Sequence, residues 1–197
     1  MRKVRTLIPK GFTLIELIIT ASIFALIGVS AIAGLVKTQD QFAFRNAVKG
    51  SANIIRELRS FAMGNKTLQD GAIPYQYGAH IDVSNRKITI FGDKKDAGSK
   101  NTFDPLSDGI FNSYQMNNRY EYKIFDGSTE KPEITSITFF YAPTNANFHT
   151  VSTPPITGRF VAIGIYDKEK EGRSSFIVLF EMSGNPETFD SLGDITN

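Results

Sequence analysis

The chain has 197 residues and no cysteine, which excludes disulfides, thiolate nucleophiles and cysteine-ligated zinc together. That length holds one ordinary domain plus an extension rather than two domains. The formal charge of +2 rests on Arg2, Lys3, Arg5 and Lys10; without these four the 22 bases fall to 18 against 20 acids, so the chain from Phe12 onward has no charge-based attraction to nucleic acid phosphates or anionic lipid.

The first predicted element is a membrane helix. Phe12 to Val36 reads FTLIELIITASIFALIGVSAIAGLV and contains a single charge, Glu16. At 1.5 Å per residue it spans roughly 37 Å, more than the ~30 Å hydrocarbon core requires. The bases precede it, so the positive-inside rule keeps that end in the cytoplasm and sends everything after Lys37 to the outer side. Two processing routes fit this arrangement. In one, Arg2 to Lys10 opens a secretory signal cut at the small-x-small site Ala31-Ile32-Ala33, which releases a soluble head. About 19 residues separate Phe12 from Ala31, however, against the usual apolar run of about 7 to 15, and an acid lies inside. In the other, the cut falls before the helix. Gly11 has no side chain to obstruct a peptidase at the membrane surface, and Pro9 and Lys10 suit an extended entry.

A carboxylate in a membrane helix costs about 2.5 to 3.5 kcal/mol at the bilayer centre and less near an end. Glu16 therefore marks either a partner or a hydrated interfacial position. The stretch Lys10-Gly11-Phe12-Thr13-Leu14-Ile15-Glu16 resembles the prepilin peptidase site of type IV pilins and type II secretion pseudopilins. The resemblance implies cleavage between Gly11 and Phe12, N-methylation of Phe12 by a prepilin peptidase and methyltransferase, and a helix that stays in the protein. It also implies that Glu16 neutralises the new Phe12 amine of a neighbouring subunit and so sets the axial step of a polymer.

From Lys37 to Met63 the pattern becomes amphipathic, with Phe44, Val48, Ser51, Ile55, Leu58 and Ala62 on one stripe and Arg45, Lys49, Arg56 and Arg59 off it. Gly64-Asn65 supplies a stop. One helix from Phe12 to Met63, roughly 78 Å long by its rise, is expected. Gly28 and Gly34 inside its apolar half fit either close helix packing in the membrane or points that stretch when the helix leaves lipid.

Beyond Gly64 the helical period gives way to strand-like runs. Ala79 to Val83 and Arg86 to Phe91 form an expected hairpin turning at Ser84-Asn85. Arg119 to Phe125, Ile134 to Tyr141, Arg159 to Tyr166 and Ser175 to Glu181 follow, the last three rich in Ile, Val, Phe and Tyr. Gly92 to Ser113 and Pro143 to Gly158 read as long spacers, and Pro186 to Asn197 as a loose end. The fold class expected is α+β: a pilin-like long N-terminal helix, half membrane and half amphipathic, packed on a mostly antiparallel sheet. The domains are then a leader over 1–11, an assembly helix over 12–36, its amphipathic continuation over 37–64, and a β-rich head over 65–197. Within the family, ANIIRELRSFAMGNK, the YGAHIDVSNRKITIFGD hairpin and a last apolar strand ending in SGN are similar to H-type minor pseudopilins. The Cys-bounded C-terminal loop of many major pilins is missing.

No catalytic constellation emerges. His80 and His149 are far apart in sequence and have no identifiable partners for a metal or a triad, and no phosphate-cradling Gly-rich loop occurs. Asp93 with Asp96, and Asp190 with Asp194, lack the oxygen density of a calcium loop. Lys94, Lys95 and Lys100 are offset by Asp93 and Asp96, so nucleic acid is not an expected partner. No metal and no cofactor are expected.

The resemblance thus implies a structural subunit rather than an enzyme, with three partners: the processing enzyme, other pilin or pseudopilin subunits, and membrane lipid before assembly. It places the chain in the cytoplasmic membrane with the head outside, then in an extracellular pilus or periplasmic pseudopilus. The rival is a membrane-anchored or secreted binding module that never polymerises.

Overall fold

The computed structural model describes residues 12–94, 102–143, 148–180 and 184–195. One helix, α1 (Leu14–Met63), is followed by ten strands: β1 (Gln76–Asp82), β2 (Lys87–Asp93), β3 (Gly109–Gln115), β4 (Tyr120–Asp126), β5 (Thr129–Glu130), β6 (Ser136–Tyr141), β7 (Phe148–Ser152), β8 (Phe160–Asp167), β9 (Ser174–Phe180) and β10 (Pro186–Phe189). A single 3-10 turn, Leu192–Ile195, closes the described chain. Two compact units result, Met1–Ala43 and Phe44–Asn197.

In the first unit every large apolar side chain from Phe12 to Val36 is more than half exposed. No water-facing surface tolerates so much uncovered apolar area, at roughly 1.5 to 3 kcal/mol for each large side chain left unburied. By length and composition this stretch can cross a membrane. The backbone polar groups suit that environment. Thr20, Ser22, Ser30 and Thr38 donate their hydroxyls to the carbonyls of Glu16, Ile18, Leu26 and Gly34, one turn back, at 2.8 to 3.1 Å. Each hydroxyl is satisfied within the helix itself, as hydrocarbon demands.

In the second unit the six stripe residues of α1, Phe44, Val48, Ser51, Ile55, Leu58 and Ala62, are all buried. Apart from Ser51, they belong to one core cluster with alternate residues of both sheets, among them Tyr77, Ile81, Phe139, Tyr122, Ile163 and Leu179. The helix ends as the Gly64-Asn65 pair predicts, but Asn65 rather than Gly64 takes the left-handed position, with φ 48°. Lys66 N–H donates to Phe61 O at 3.0 Å and Asn65 N–H to Ala62 O at 3.4 Å. That pair of bonds is the Schellman arrangement.

The α+β class and the antiparallel pairing hold, but the head has two five-stranded sheets where the patterning suggested one. Their orders are β3-β2-β1-β6-β7 and β10-β9-β8-β4-β5. The four later strands and the hairpin fall within a few residues of their expected bounds, except that Glu181 lies outside the described residues. Three elements correct the sequence reading: β3 lies in the Gly92–Ser113 spacer, β7 in the Pro143–Gly158 spacer, and β10 with the 3-10 turn in the presumed loose tail. All three strands are sheet edges with mixed composition, so their strand state comes from a neighbour's ladder rather than from their own periodicity. β3 gains a further tie to α1, where Tyr114 Oη donates to Ala47 O at 3.4 Å and Asn112 Nδ2 to Glu57 Oε2 at 3.0 Å.

Two buried polar contacts tie the head together, and the first of them fixes the helix on it. Ser51 Oγ and Tyr122 Oη lie 2.8 Å apart, and Ser51 also reaches Ala47 O at 2.9 Å. Burial pushes the Tyr122 phenol well above its ordinary pKa, against the opposing pull of the Ser51 hydrogen bond. Tyr122→Phe is expected to cost about 1 to 2 kcal/mol by leaving a buried hydroxyl with one bond fewer; an unchanged urea midpoint would contradict that role. The other contact closes the C-terminal edge, where Tyr141 Oη donates to Gly184 O, with Gly184 at φ +56°.

Candidate functional site

The expected site residues lie at the start of α1. Phe12 and Thr13 precede the first helical residue, Leu14, and Glu16 stands in the first turn. Gly11, like residues 1–10, lies outside the described residues. Thr13 acts as the N-cap: its Oγ1 accepts from Glu16 N–H at 3.3 Å, and its carbonyl accepts from Leu17 N–H at 3.2 Å. Glu16 is therefore the third helical residue, and Thr13-Leu14-Ile15-Glu16 has the Ser/Thr-x-x-Glu spacing of a capping box. Phe12 and Leu17 stand at the positions of a hydrophobic staple.

This cap escaped the sequence reading, which weighed Glu16 as a hydrated membrane charge or as the partner of a neighbouring Phe12 amine. The four-residue signal was present and could have found it. Chemically, the arrangement places a carboxylate at the positive end of the helix dipole, where anions are favoured by about 0.3 to 1 kcal/mol. It also leaves Phe12 and Thr13 outside the helix, which begins at Leu14. Phe12 is 77% exposed and Glu16 is exposed, so both remain open to a second chain. A Cβ at Gly28 or Gly34 would meet nothing within 4 Å.

The candidates dismissed in the head sit as structural residues. His80 stands on β1 with Nδ1 2.9 Å from Thr138 Oγ1 and its ring stacked on Phe103, and burial pushes its pKa down. His149 stands on β7, stacked on Phe140. Asp93 is buried and accepts from Gln76 Nε2 at 2.9 Å, while Lys94 pairs with Asp70 at 2.9 Å. Asp96, Lys95 and Lys100 lie outside the described residues. Asp190 and Asp194 are exposed. Among the described residues no group of three His, Asp or Glu side chains could hold a metal ion.

Residues 9–32 match the family model described as the prokaryotic N-terminal methylation motif. The N-terminal segment thus carries the prepilin-type motif expected from KGFTLIE. No curated protein matches the chain. Among solved structures, the minor pseudopilin EpsH from the type 2 secretion system of Vibrio cholerae is similar over 74% of this chain and 95% of its own, at 14% identity and a TM-score of 0.46.

Proposed function

We propose that the chain is a structural subunit of a type IV pilus or type II secretion pseudopilus, cut between Gly11 and Phe12 and N-methylated at Phe12. A methylation motif at residues 9–32, coincident with a helix whose apolar side chains are uncovered all round, is the observation that supports this reading. The helix is held in lipid first and then by sister helices, which replace lipid contact with packing. Residues 1–11 are the leader, 12–36 the assembly helix, 37–64 its amphipathic continuation and 65–197 the head. The head faces away from the cytoplasm, and the finished subunit resides in an extracellular pilus or a periplasmic pseudopilus.

Glu16 is proposed to hold the register by facing the Phe12 amine of the neighbouring subunit. Capping by Thr13 fixes where that carboxylate stands on the first turn, so it projects from a defined place rather than from a frayed end. The required partners are the prepilin peptidase and methyltransferase, other subunits, and membrane lipid before assembly.

Mass spectrometry of the N-terminal peptide from membranes tests the reading. The expected result is an N-methylated phenylalanine at position 12. A chain starting at Gly34 would mark a secreted module, and an unprocessed Met1 a plain anchor; either would overturn the proposal.

A further inference from the structure

The head carries two strips of opposite charge that abut at one end, where Arg56 and Arg59 reach residues 185–186, and run free of ion pairs beyond it among the described residues. Between Phe44 and Met63, α1 holds Arg45, Lys49, Arg56 and Arg59 against one acid, Glu57. At 100° per residue the four bases fall within about 80° of arc, on one flank of the buried stripe. Arg45, Lys49 and Arg56 are exposed and Arg59 is half-buried. Arg56 and Arg59 donate to neutral oxygens: Arg56 to Asn53 Oδ1 at 3.0 Å and Pro186 O at 3.3 Å, and Arg59 to Asn185 Oδ1 at 3.2 Å. Among the described residues no carboxylate pairs with any of the four.

The opposite strip is C-terminal. Residues 174–197 contain Glu181, Glu187, Asp190 and Asp194 and no lysine or arginine. Glu181 lies outside the described residues; the other three are exposed, and none is in an ion pair among the described residues. They are rigidly presented. β10 is the edge of its sheet, and Phe189, Leu192 and Ile195 pack on a second apolar cluster of Phe125, Ala162, Phe176 and Val178. Arg45 to Arg59 spans about 21 Å of helix.

We propose that the basic flank of α1 in one copy seats against the acidic C-terminal edge of another copy. Two different patches that complement each other make a head-to-tail contact, which repeats into an open filament. The inference rests on the polymerising reading above and deepens it by naming which head surfaces meet. Such a contact steers approach and fixes register, and it weakens as salt shortens the screening length below about 8 Å.

The absence of cysteine makes cross-linking clean. Full-length Lys49→Cys and Asp190→Cys chains, differently tagged and co-expressed, should form a mixed disulfide in membranes under mild oxidation. Its yield should exceed that of Lys49→Cys with Ser84→Cys, an exposed turn position, by at least about fivefold. Arg45→Glu with Arg56→Glu on the first chain should remove the excess, and Glu187→Lys with Asp194→Lys on the second should restore it. Leu17→Cys, in the membrane helix, reports association independently of the heads. If Leu17 cross-links but the head pair does not exceed its control, this inference is wrong and the filament reading stands. If neither cross-links, the filament reading fails with it. A head cross-link indifferent to charge reversal would also overturn the electrostatic contact.

Discussion

Glu16→Ala is expected to reach the membrane in wild-type amounts and to be depleted at least about tenfold from sheared filaments, since truncating one member of a desolvated charge pair costs about 2 to 5 kcal/mol. Insertion should not suffer, because the change removes the only charge from the apolar span. The capping geometry makes a second variant informative. Glu16→Gln keeps a side chain suited to the third helical position of a capping box but removes the charge. If charge pairing sets the register, Gln should be as defective as Ala. If the residue serves only as a helix cap, Gln should assemble normally, and Thr13→Ala, which removes the Oγ1 acceptor, should reproduce the Ala defect. Wild-type incorporation of Glu16→Ala would remove Glu16 from the assembly mechanism altogether.

Asp167→Asn is expected to lower the stability of the head by about 2 to 4 kcal/mol, somewhat less than the ~3 to 5 kcal/mol for breaking a fully buried pair. The Asp167 side chain is fully buried, while those of Arg119 and Arg173 are 20% and 22% exposed. Arg119 donates Nε and Nη2 to it at 2.8 and 2.6 Å, and Arg173 Nη1 at 3.4 Å. The same carboxylate accepts from Glu169 N–H at 3.1 Å and so shapes the β8–β9 turn. The two guanidiniums continue onto the aromatic layer: Arg119 stands over Tyr120, and Arg173 over Phe44 on the helix. Asparagine keeps one neutral oxygen acceptor there but no charge, so two partly desolvated cations lose their shared counter-ion.

The arginine hydrogen bonds hold the Asp167 carboxyl below its ordinary pKa. A depressed native pKa means the stabilisation is fully present above the unfolded value near about 4 and is lost as pH falls through the native value. The difference between wild type and Asp167→Asn should therefore be constant at neutral pH and shrink below about pH 4. Urea unfolding in detergent, followed by the near-UV tyrosine signal of this tryptophan-free chain, reads both effects. A difference that grew on acidification would contradict the sign.

The N-terminal motif was legible because each of its parts is local. Span length, the single acid, the preceding bases and the Gly-Phe junction are all read from adjacent residues. The Thr13–Glu16 cap was equally local, and it was missed only because the same Glu16 had already been assigned to the membrane. The Arg119–Asp167–Arg173 centre was not legible: Arg119 and Asp167 lie 48 positions apart, and no spacing rule relates residues on neighbouring strands before their register is known.

By itself the sequence determined the membrane-length helix, the buried stripe that continues it, the helix stop and the strands rich in β-branched and aromatic residues, because periodicity and capping act within a turn or two of the chain. Tertiary structure alone decided that there are two sheets among the described residues, that β3, β7 and β10 are strands, and that the bases of α1 and the exposed Glu187, Asp190 and Asp194 form charged strips. An edge strand takes its hydrogen bonds from a partner distant in sequence, and a charged strip is defined by which residues the packing leaves uncovered; neither can be read from neighbours along the chain.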